Sequence, residues 1–255
     1  MSRHLMFRFE APLLSFGGPT IDNYGVTRDF PAASMLTGLI ANALGWRRQA
    51  RAAHQKLQDR LVFASRLDHE AVRPAFRLRD VQNARLHQKD QGWTTAGVPQ
   101  GRASSPSYQG VDDETPTLGR YTMQRRYRDY HAAASVMVAL RLVPAEDAPT
   151  LSDIAAAVDR PARPLFLGRK ACLPSEPILP PEPARWVEAD TAWDALCRYP
   201  AKSATLRAQW PAAEGPAGDR EIALCDARNW LSGLHGGARR VVEGRITCVG
   251  ENTDE

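Results

Sequence analysis

Planar cationic and aromatic side chains are concentrated in one stretch of this sequence, residues 118–143. Its first half contains four arginines, three tyrosines and a histidine: Arg120, Tyr121, Arg125, Arg126, Tyr127, Arg128, Tyr130 and His131. Guanidinium groups pair with phosphates through parallel hydrogen bonds, and tyrosine rings offer faces on which unpaired bases stack. This combination predicts a nucleic-acid-binding surface. The alternative is a solvent-facing edge strand whose arginines contact only water.

A second group of candidate phosphate ligands is Gly168-Arg169-Lys170. A glycine lets the backbone approach a ligand closely, and two adjacent cations suit phosphate. An ordinary turn with solvated cations explains the same residues equally well. The C-terminal part repeats the composition, with three glycines ahead of two arginines: Gly233, Gly236, Gly237, Arg239 and Arg240.

Some of these residues are types that a metal-independent ribonuclease uses to move protons while the 2′-hydroxyl attacks its own phosphodiester. They are Tyr127, Tyr130, His131 and Lys170. On a strand, Tyr127 and His131 share one face while Tyr130 lies on the other, so the alternation separates the candidates. No cluster of acidic residues marks a metal-dependent nuclease, and no nucleotide or metal motif occurs. We therefore expect no metal and no cofactor.

The charge of the 255-residue chain is modest in total but uneven in distribution. The formal net charge is +4 with a pI near 9.0, yet residues 120–141 hold five arginines against a single acid, Asp129. A local cationic stretch is typical of a nucleic-acid footprint. Four scattered cysteines without a CxxC pair indicate neither zinc nor disulfides. With no signal peptide and no apolar run of membrane length, we expect a cytoplasmic protein without membrane contact.

Hydrophobic periodicity and turn residues divide the chain into alternating strands and helices. The second half of the arginine-rich stretch, Ala132–Val143, is small and apolar throughout and predicts a central strand buried on both faces. Ser34 is the expected N-cap of the first helix. The other expected elements, in chain order, are strand His4–Phe9, helix Met35–Leu44, a helix-compatible Arg47–Gln58, strands Leu61–Leu67 and Ala71–Val81, an irregular segment 82–117, helix Thr150–Val158 and strand Pro164–Gly168.

The resulting order, βαββαβ, predicts an α+β fold of the ferredoxin-like or RRM type, whose open sheet face often receives single-stranded RNA. The irregular segment 82–117 interrupts this domain as an insertion. A proline-rich connector after Cys172 indicates a boundary, so we predict a first domain at residues 1–173 and a smaller, irregular, β-rich part at 174–255. Four tryptophans are available as core for that second part: Trp186, Trp193, Trp210 and Trp230.

Four motifs, in order along the chain, resemble those of one known family. They are LMFRFEAPLLSFGG in the first strand and loop, RDFPAASMLTGLIANALGW in the first helix, RYRDYHAAASVMVAL entering the central strand, and PLFLGRKACLPSEPI after the second helix. A weaker echo occurs around Asn229-Trp230 and Gly233–Gly237. On these residues the chain resembles the CasD family of the RAMP superfamily, which holds the 5′ handle of the guide RNA in type I-E CRISPR Cascade complexes.

The resemblance implies an RNA-binding subunit that does not cut, with no catalytic residues. Its implied partners are the crRNA 5′ handle, a CasC-type backbone subunit, a CasA-type large subunit and, through the complex, target DNA. Segment 82–117 would be the family's thumb, which packs against the guide and the backbone subunit. Related subunits of another subtype cut RNA through Tyr, Lys and His, so a crRNA-processing endoribonuclease using His131 or Lys170 with a tyrosine is the alternative. A module that binds only protein is a third possibility.

In the RNA-binding hypothesis each candidate residue has a role. Arginines of the central strand neutralise handle phosphates while Tyr127 or Tyr130 stacks on a base. Arg28 and Ser34 offer a guanidinium, a hydroxyl and the amides at the start of the first helix. The complete candidate set is Arg28, Ser34, Arg120, Arg125, Arg126, Tyr127, Arg128, Tyr130, His131, Gly168, Arg169 and Lys170.

Overall fold

The computed structural model describes the backbone of residues 1–21, 23–69, 77–86, 92–93, 99–100 and 122–250, and side chains within 1–20, 23–69, 77–82 and 126–250. The helices of this part are α1 (Ala33–Ala43), α2 (Arg51–Arg60), α3 (Leu151–Asp159) and α4 (Ala192–Arg198). Its strands are β1 (Ser2–Leu14), β2 (Thr20–Ile21), β3 (Tyr24–Gly25), β4 (Leu61–His69), β5 (Arg77–Leu86), β6 (Gly92–Trp93), β7 (Pro99–Gln100), β8 (Thr122–Leu142), β9 (Trp186–Ala189), β10 (Thr205–Pro211), β11 (Arg220–Leu224) and β12 (Arg239–Thr247).

The second half of β8 is the central strand of the fold. It lies antiparallel between β1, with Leu5 opposite Leu140, and β4, with Leu61 opposite Leu142. The ladder with β1 covers 131–140 except Ala133, the ladder with β4 covers 135–142, and the side chains of 136–140 are buried on both faces. The predicted buried strand Ala132–Val143 is confirmed in its middle, whereas Ala133, with a φ of 48°, and Val143 are exposed. Small and β-branched residues suit this position because side chains pack against both faces of the sheet.

The first half of β8 continues beyond the central strand as a ribbon paired with β5, from Arg77 opposite His131 to Leu86 opposite Thr122. The short β3 pairs in parallel with its other edge. The expected strand Ala71–Val81 therefore begins at Arg77 in the described residues, and the expected irregular segment is a strand as far as Leu86. Of residues 87–117 the structure describes only the short pair β6 and β7. The rest of the expected thumb lies outside the described residues.

Helices cover one face of the central sheet and a second core covers the other. Alternate residues of β1 divide between them: Phe7 and Phe9 face α1 and α3, while Met6 faces α4 and the C-terminal strands. The second core contains the fully buried Trp210 and Leu196. The expectation of an open sheet face for RNA is therefore wrong. α4 and the strand β10 bury that face with apolar side chains.

Ten of the described strands form one sheet in the order β11-β12-β10-β4-β8-β1-β9, with β3 and β5 added along β8 and β2 paired to β3; β6 and β7 form a separate pair. The expected strand Pro164–Gly168 is wrong, because this segment is irregular and β9 pairs with β1 instead. Pro164 has no N–H to donate to a ladder, and Gly168 adopts a left-handed φ of 111°. Strands from residues 186–247 extend the same sheet on both sides, and the boundary at 173 stays a prediction.

The starts of two helices show how far local sequence specifies a cap. α3 begins with Thr150, whose hydroxyl accepts a hydrogen bond from the amide of Asp153 while the Asp153 carboxylate accepts from Thr150, as expected for a capping box. α1 begins at Ala33, two residues before the expected start, and Ser34 is not its cap. Asp226 replaces it: its carboxylate accepts from the Ala33 amide at 3.0 Å, and its carbonyl accepts from the Ser34 amide at 3.1 Å.

No helix of the described residues is long and apolar enough to cross a membrane.

One fully buried arginine joins the central sheet to α4. Arg66 on β4 donates to both carboxylate oxygens of Asp68 and to the carbonyls of Leu196, Tyr199 and Pro200. Burial alone would lower the pKa of Arg66, but the ion pair with Asp68 outweighs it and the pKa is raised, so the side chain stays charged. The guanidinium thus satisfies the carbonyls at the end of α4, which have no helical partner.

Arg66→Met should lower the free energy of unfolding by about 3–5 kcal/mol, because it removes the buried guanidinium that donates to Asp68 and to three carbonyls. Arg198→Met is the matched control, since it removes an exposed i,i+4 pair with Asp194 worth less than about 1 kcal/mol. Urea unfolding of both variants measures the difference. Equal midpoints would show that the buried bonds of Arg66 do not stabilise the fold.

Candidate nucleic-acid interface

A groove of about 1430 Å³ runs along α1. Four segments that are distant in sequence form its walls: the loop after β1, the exposed side of α1, the irregular segment after α3 and the loop between β11 and β12. Its lining includes Ser15, Gly17, Arg28, Ser34, Met35, Gly38, Asn42, Phe166, Gly168, Arg169, Lys170, Cys225, Asp226, Arg228, Trp230, Leu234 and His235. Five of the twelve candidate residues therefore line one groove: Arg28, Ser34, Gly168, Arg169 and Lys170. The first and last of them are 142 positions apart in sequence.

Gly168 is placed where only glycine fits. Its φ of 111° is a conformation that L side chains rarely adopt, and a Cβ built on it would lie 1.7 Å from the carbonyl oxygen of Ser15. The close approach is fixed by the Ser15 amide, which donates to the carbonyl of Leu167. Gly168 thus presses the segment carrying Arg169 and Lys170 against the loop after β1.

Arg169 and Lys170 have different surroundings. The Arg169 guanidinium donates to the carbonyls of Asp129 and Gly25, each at 3.0 Å, and lies 4.8 Å from the ring centroid of Tyr130. It therefore ties the groove wall to β3 and β8. Lys170 is exposed at the groove. Of the two expected phosphate ligands, Lys170 presents its charge to solvent while Arg169 fixes the position of the segment.

Arg28 and Ser34 both line the groove, but the helix-end amides expected beside them do not face it. The first two amides of α1 donate to Asp226, and those of Met35 and Leu36 donate to the carbonyl of Ala32. A phosphate therefore finds no free amide at this helix start, which corrects the expectation. The Arg28 guanidinium donates to the carbonyl of Cys225 at 2.8 Å and so joins two walls of the groove.

The candidate side chains of β8 alternate between the two faces of the ribbon. Arg126 is exposed and Arg128 is half-buried, with its Nε donating to Gln82 on β5. Tyr127 stacks on Tyr24 with ring centroids 4.7 Å apart and planes 10° apart. Tyr130, at 5% exposure, lies beneath Arg169. Tyr127 is thus the more accessible of the two expected stacking residues. Arg120 and the side chain of Arg125 lie outside the described residues.

His131 is buried at the base of the ribbon. Its exposure is 3%, its Nε2 donates to the carbonyl of Arg28 at 2.7 Å, and its ring centroid lies 5.6 Å from that of Phe16. The structure therefore places His131 inside the protein and Lys170 on its surface. The four side chains considered for proton transfer do not share one accessible site. Within the described residues, no three His, Cys, Asp or Glu side chains are grouped as metal ligands.

The one acid of the arginine-rich stretch is neutralised by its neighbours. Asp129 accepts two hydrogen bonds from Arg79 on β5, at 2.7 and 3.1 Å. These bonds hold the pKa of Asp129 below its ordinary value, and burial only partly opposes them. Asp226 in the groove is likewise paired, with Arg239. Asp129 thus stays ionised at neutral pH, and an arginine pairs with each of the two carboxylates, so the other cations around them keep the surface positive.

One wall of the groove consists of residues that were not among the candidates, including Arg228, Trp230, Leu234 and His235. They lie in the loop between β11 and β12, where Gly233 and Gly237 have positive φ angles of 81° and 92°. Asn229 closes the turn, because its side-chain oxygen accepts from the amides of Leu231 and Ser232. The glycine-rich composition with nearby arginines was the signal that marked this loop. Nothing local indicated that it packs beside α1.

The groove has cationic walls and lies beside a cationic ribbon on an antiparallel sheet with two covered faces. These features are those of a candidate nucleic-acid-binding protein. Residues 4–242 match the family model described as CRISPR-associated protein (Cas_Cas5), and the chain belongs to this family. It is 26% identical over 178 residues to the CRISPR system Cascade subunit CasD of Escherichia coli (strain K12), which covers 70% of each chain. The resemblance indicated by the four motifs is confirmed.

Two solved structures share the fold. One, titled "CRISPR RNA-guided surveillance complex", matches with a TM-score of 0.63 and 20% identity over 98% of this chain and 95% of the other. The second, "Crystal structure of Cas protein", has a TM-score of 0.59 and 23% identity over 96% and 95% of the two chains. At these identities the matches establish the shared fold.

Gly168→Ala should destabilise the protein more than Gly237→Ala. Both glycines have positive φ, which costs an alanine about 1–2 kcal/mol. A Cβ at Gly237 meets nothing within 4 Å, whereas at Gly168 it collides with the Ser15 carbonyl. Thermal and urea unfolding of the two variants provide the test. A smaller loss for Gly168→Ala than for Gly237→Ala would contradict the close contact between the groove walls.

Proposed function

We propose that this chain is a non-catalytic RNA-binding subunit of a Cascade-type CRISPR surveillance complex, where it caps the 5′ handle of the crRNA. The observation that carries the proposal is the groove along α1, which collects Arg28, Ser34 and Lys170 in one place. Arg169 links it directly to the ribbon that bears Arg126 and Arg128. The membership in the Cas_Cas5 family and the likeness to CasD support the same assignment.

The physical argument concerns how the cations are distributed. A single-stranded polyanion gains affinity from each phosphate that a cation neutralises, with a release of counterions. Lys170 and Arg126 suit this role because both are exposed. Among the described residues, neither forms an ion pair with a carboxylate of the protein. Arg169 and Gly168 fix the position of the segment that carries Lys170. The groove then binds one part of the RNA backbone, and the ribbon binds the next part.

The strand order supports the finer assignment of the fold. The succession β1, α1, β4, β8, α3, β9 is βαββαβ, and the four strands lie in the order β4-β8-β1-β9 with antiparallel neighbours. This arrangement supports a ferredoxin-like or RRM unit, with β9 instead of Pro164–Gly168 as its fourth strand. The RNA surface is then the helix side and the ribbon, since the second sheet face is a protein core.

The non-catalytic part of the proposal rests on the placement of the proton-transfer candidates. His131 donates to a backbone carbonyl inside the protein, and Tyr130 is covered by Arg169. Neither is positioned to reach a phosphodiester bound beside Lys170. We propose the CasC-type backbone subunit and the CasA-type large subunit as protein partners, with target DNA met through the complex. No cofactor or metal enters this function.

Lys170→Gln should weaken the binding of CRISPR repeat RNA and make the plot of log affinity against log salt shallower by about 0.7, the value for one lost phosphate contact with a single strand. Lys202→Gln is the matched control, since Lys202 is exposed outside the groove in the turn before β10. End-labelled repeat RNA in chelator on native gels, over a salt series, gives both slopes.

Identical slopes for the wild type and Lys170→Gln would remove Lys170 from the RNA site. Denaturing gels of the same samples test the catalytic alternative. Intact RNA is expected throughout. A shorter product that persists in chelator and disappears in His131→Ala would replace the proposal with a metal-independent ribonuclease.

Cys225 provides a second test, because its thiol is exposed on the groove wall. Repeat RNA should protect it from alkylation by iodoacetamide. The other thiols are internal controls: Cys172 and Cys248 are buried, and burial raises the pKa of Cys197 to about 11, so all three react slowly in the folded protein. Mass spectrometry of alkylated peptides measures each site. An unchanged rate at Cys225 with saturating bound RNA would show that the ligand lies elsewhere.

A further inference from the structure

Trp230 is a half-buried aromatic residue on the wall of the groove, opposite the exposed side of α1. Gly38 of α1 lies beside it, and a Cβ built there would lie 4.0 Å from the outer edge of the indole, at Cη2. The indole edge is thus already at van der Waals distance from this position of the helix. The remaining exposed surface of Trp230 lines the groove.

The indole is held rigidly from behind by α2. The Gln58 side-chain oxygen accepts from the indole Nε1 at 3.0 Å and from the Arg228 amide at 3.1 Å, while its Nε2 donates to the Arg228 carbonyl at 2.8 Å. Gln55 accepts from the Trp230 amide at 2.9 Å. The ring of His54 lies 4.7 Å away. The Nε1 of the indole is thus bonded inside the protein, and the ring is fixed in position before any ligand arrives.

Arg228 completes this arrangement. Its guanidinium carbon lies 5.3 Å from the centroid of the indole, which is within the range of a cation–π contact. Its Nε hydrogen is buried and finds no acceptor in the described residues. Arg8 and Arg141 likewise have a buried Nε without an acceptor among the described residues, so this feature alone does not point to a ligand. Arg228 differs from them because its guanidinium lies beside an indole on the groove wall.

A planar guanidinium beside a fixed indole is the surface on which proteins stack unpaired bases. Trp210 of the second core is buried to 1% exposure, whereas Trp230 keeps part of its surface exposed at the groove. We infer that Arg228 and Trp230 form a nucleobase subsite, which stacks one unpaired base of the ligand in the groove. This inference rests on the proposed RNA-binding function and assigns a base contact within the same groove.

The test replaces single bases of the repeat RNA by abasic nucleotides, one position at a time. One position should exist where the wild-type protein loses affinity, roughly 5- to 150-fold for one stacked base. Trp230→Leu and Arg228→Lys should bind normal RNA more weakly and lose the sensitivity to that abasic position. Trp230→Phe should retain most of it, because an aromatic face remains.

Two further readouts separate stacking from other roles. Arg228→Lys keeps the positive charge, so the salt dependence of binding should match the wild type while the abasic effect disappears. Unfolding midpoints show whether Trp230→Leu acts through stability, and a loss of affinity that follows the fraction unfolded would overturn the inference.

If RNA binds with the expected salt slope but no abasic position matters, the subsite is refuted and the RNA-binding function stands. The same holds if Trp230→Leu and Arg228→Lys keep the abasic effect. If RNA does not bind at all, the proposed function itself fails.

Discussion

The continuous strand β8 is the constraint on which the rest of the molecule depends. Over its second half, both edges are paired, with β1 and with β4, and its side chains fill two cores. Over its first half, the same backbone is held by β5 and β3. Where both edges are paired, at 135–140, the strand has little freedom to bend, because its backbone groups are committed to the two ladders. The position of the arginines on the ribbon is therefore determined by packing in the core.

The loop after β3 transmits this constraint to the groove. The carbonyl of Arg28 accepts from His131 at the base of the ribbon, and its guanidinium bonds to the loop that carries Trp230. Its neighbour Asp29 accepts from Arg77 on β5 and Arg207 on β10. Burial would raise the pKa of Asp29, but these two guanidinium groups outweigh it and the pKa is lowered. The acid stays charged at neutral pH and ties the ribbon to the sheet edge.

Features with a local cause were accessible from sequence. The apolar run of β8 and the helix at 150–158 each need only neighbouring residues, and the sequence predicted both, with Thr150 or Ser152 as the cap of the helix; the structure selects Thr150. The cap of α1 was missed because Asp226 lies 193 residues away from Ala33 and nothing near Ser34 signals it. Pro164–Gly168 has the composition of a short strand, yet its buried leucines pack as a loop around Gly168. Trp230 was assigned to a core because sequence alone cannot separate a fully buried tryptophan from one at a groove.

The degree of order in the groove determines what kind of recognition it supports. Each flexible side chain that is immobilised on binding costs about 0.5–1.5 kcal/mol, whereas groups already fixed cost little. Arg169, Tyr127 and Trp230 are held by internal bonds or stacking before any ligand arrives. The exposed lysine at position 170 has to be ordered by the ligand. Fixed planar groups favour one geometry of the bound chain, while mobile cations add affinity without selecting a sequence. The structure thus combines a rigid frame that selects shape with a few mobile charges that attract any polyanion.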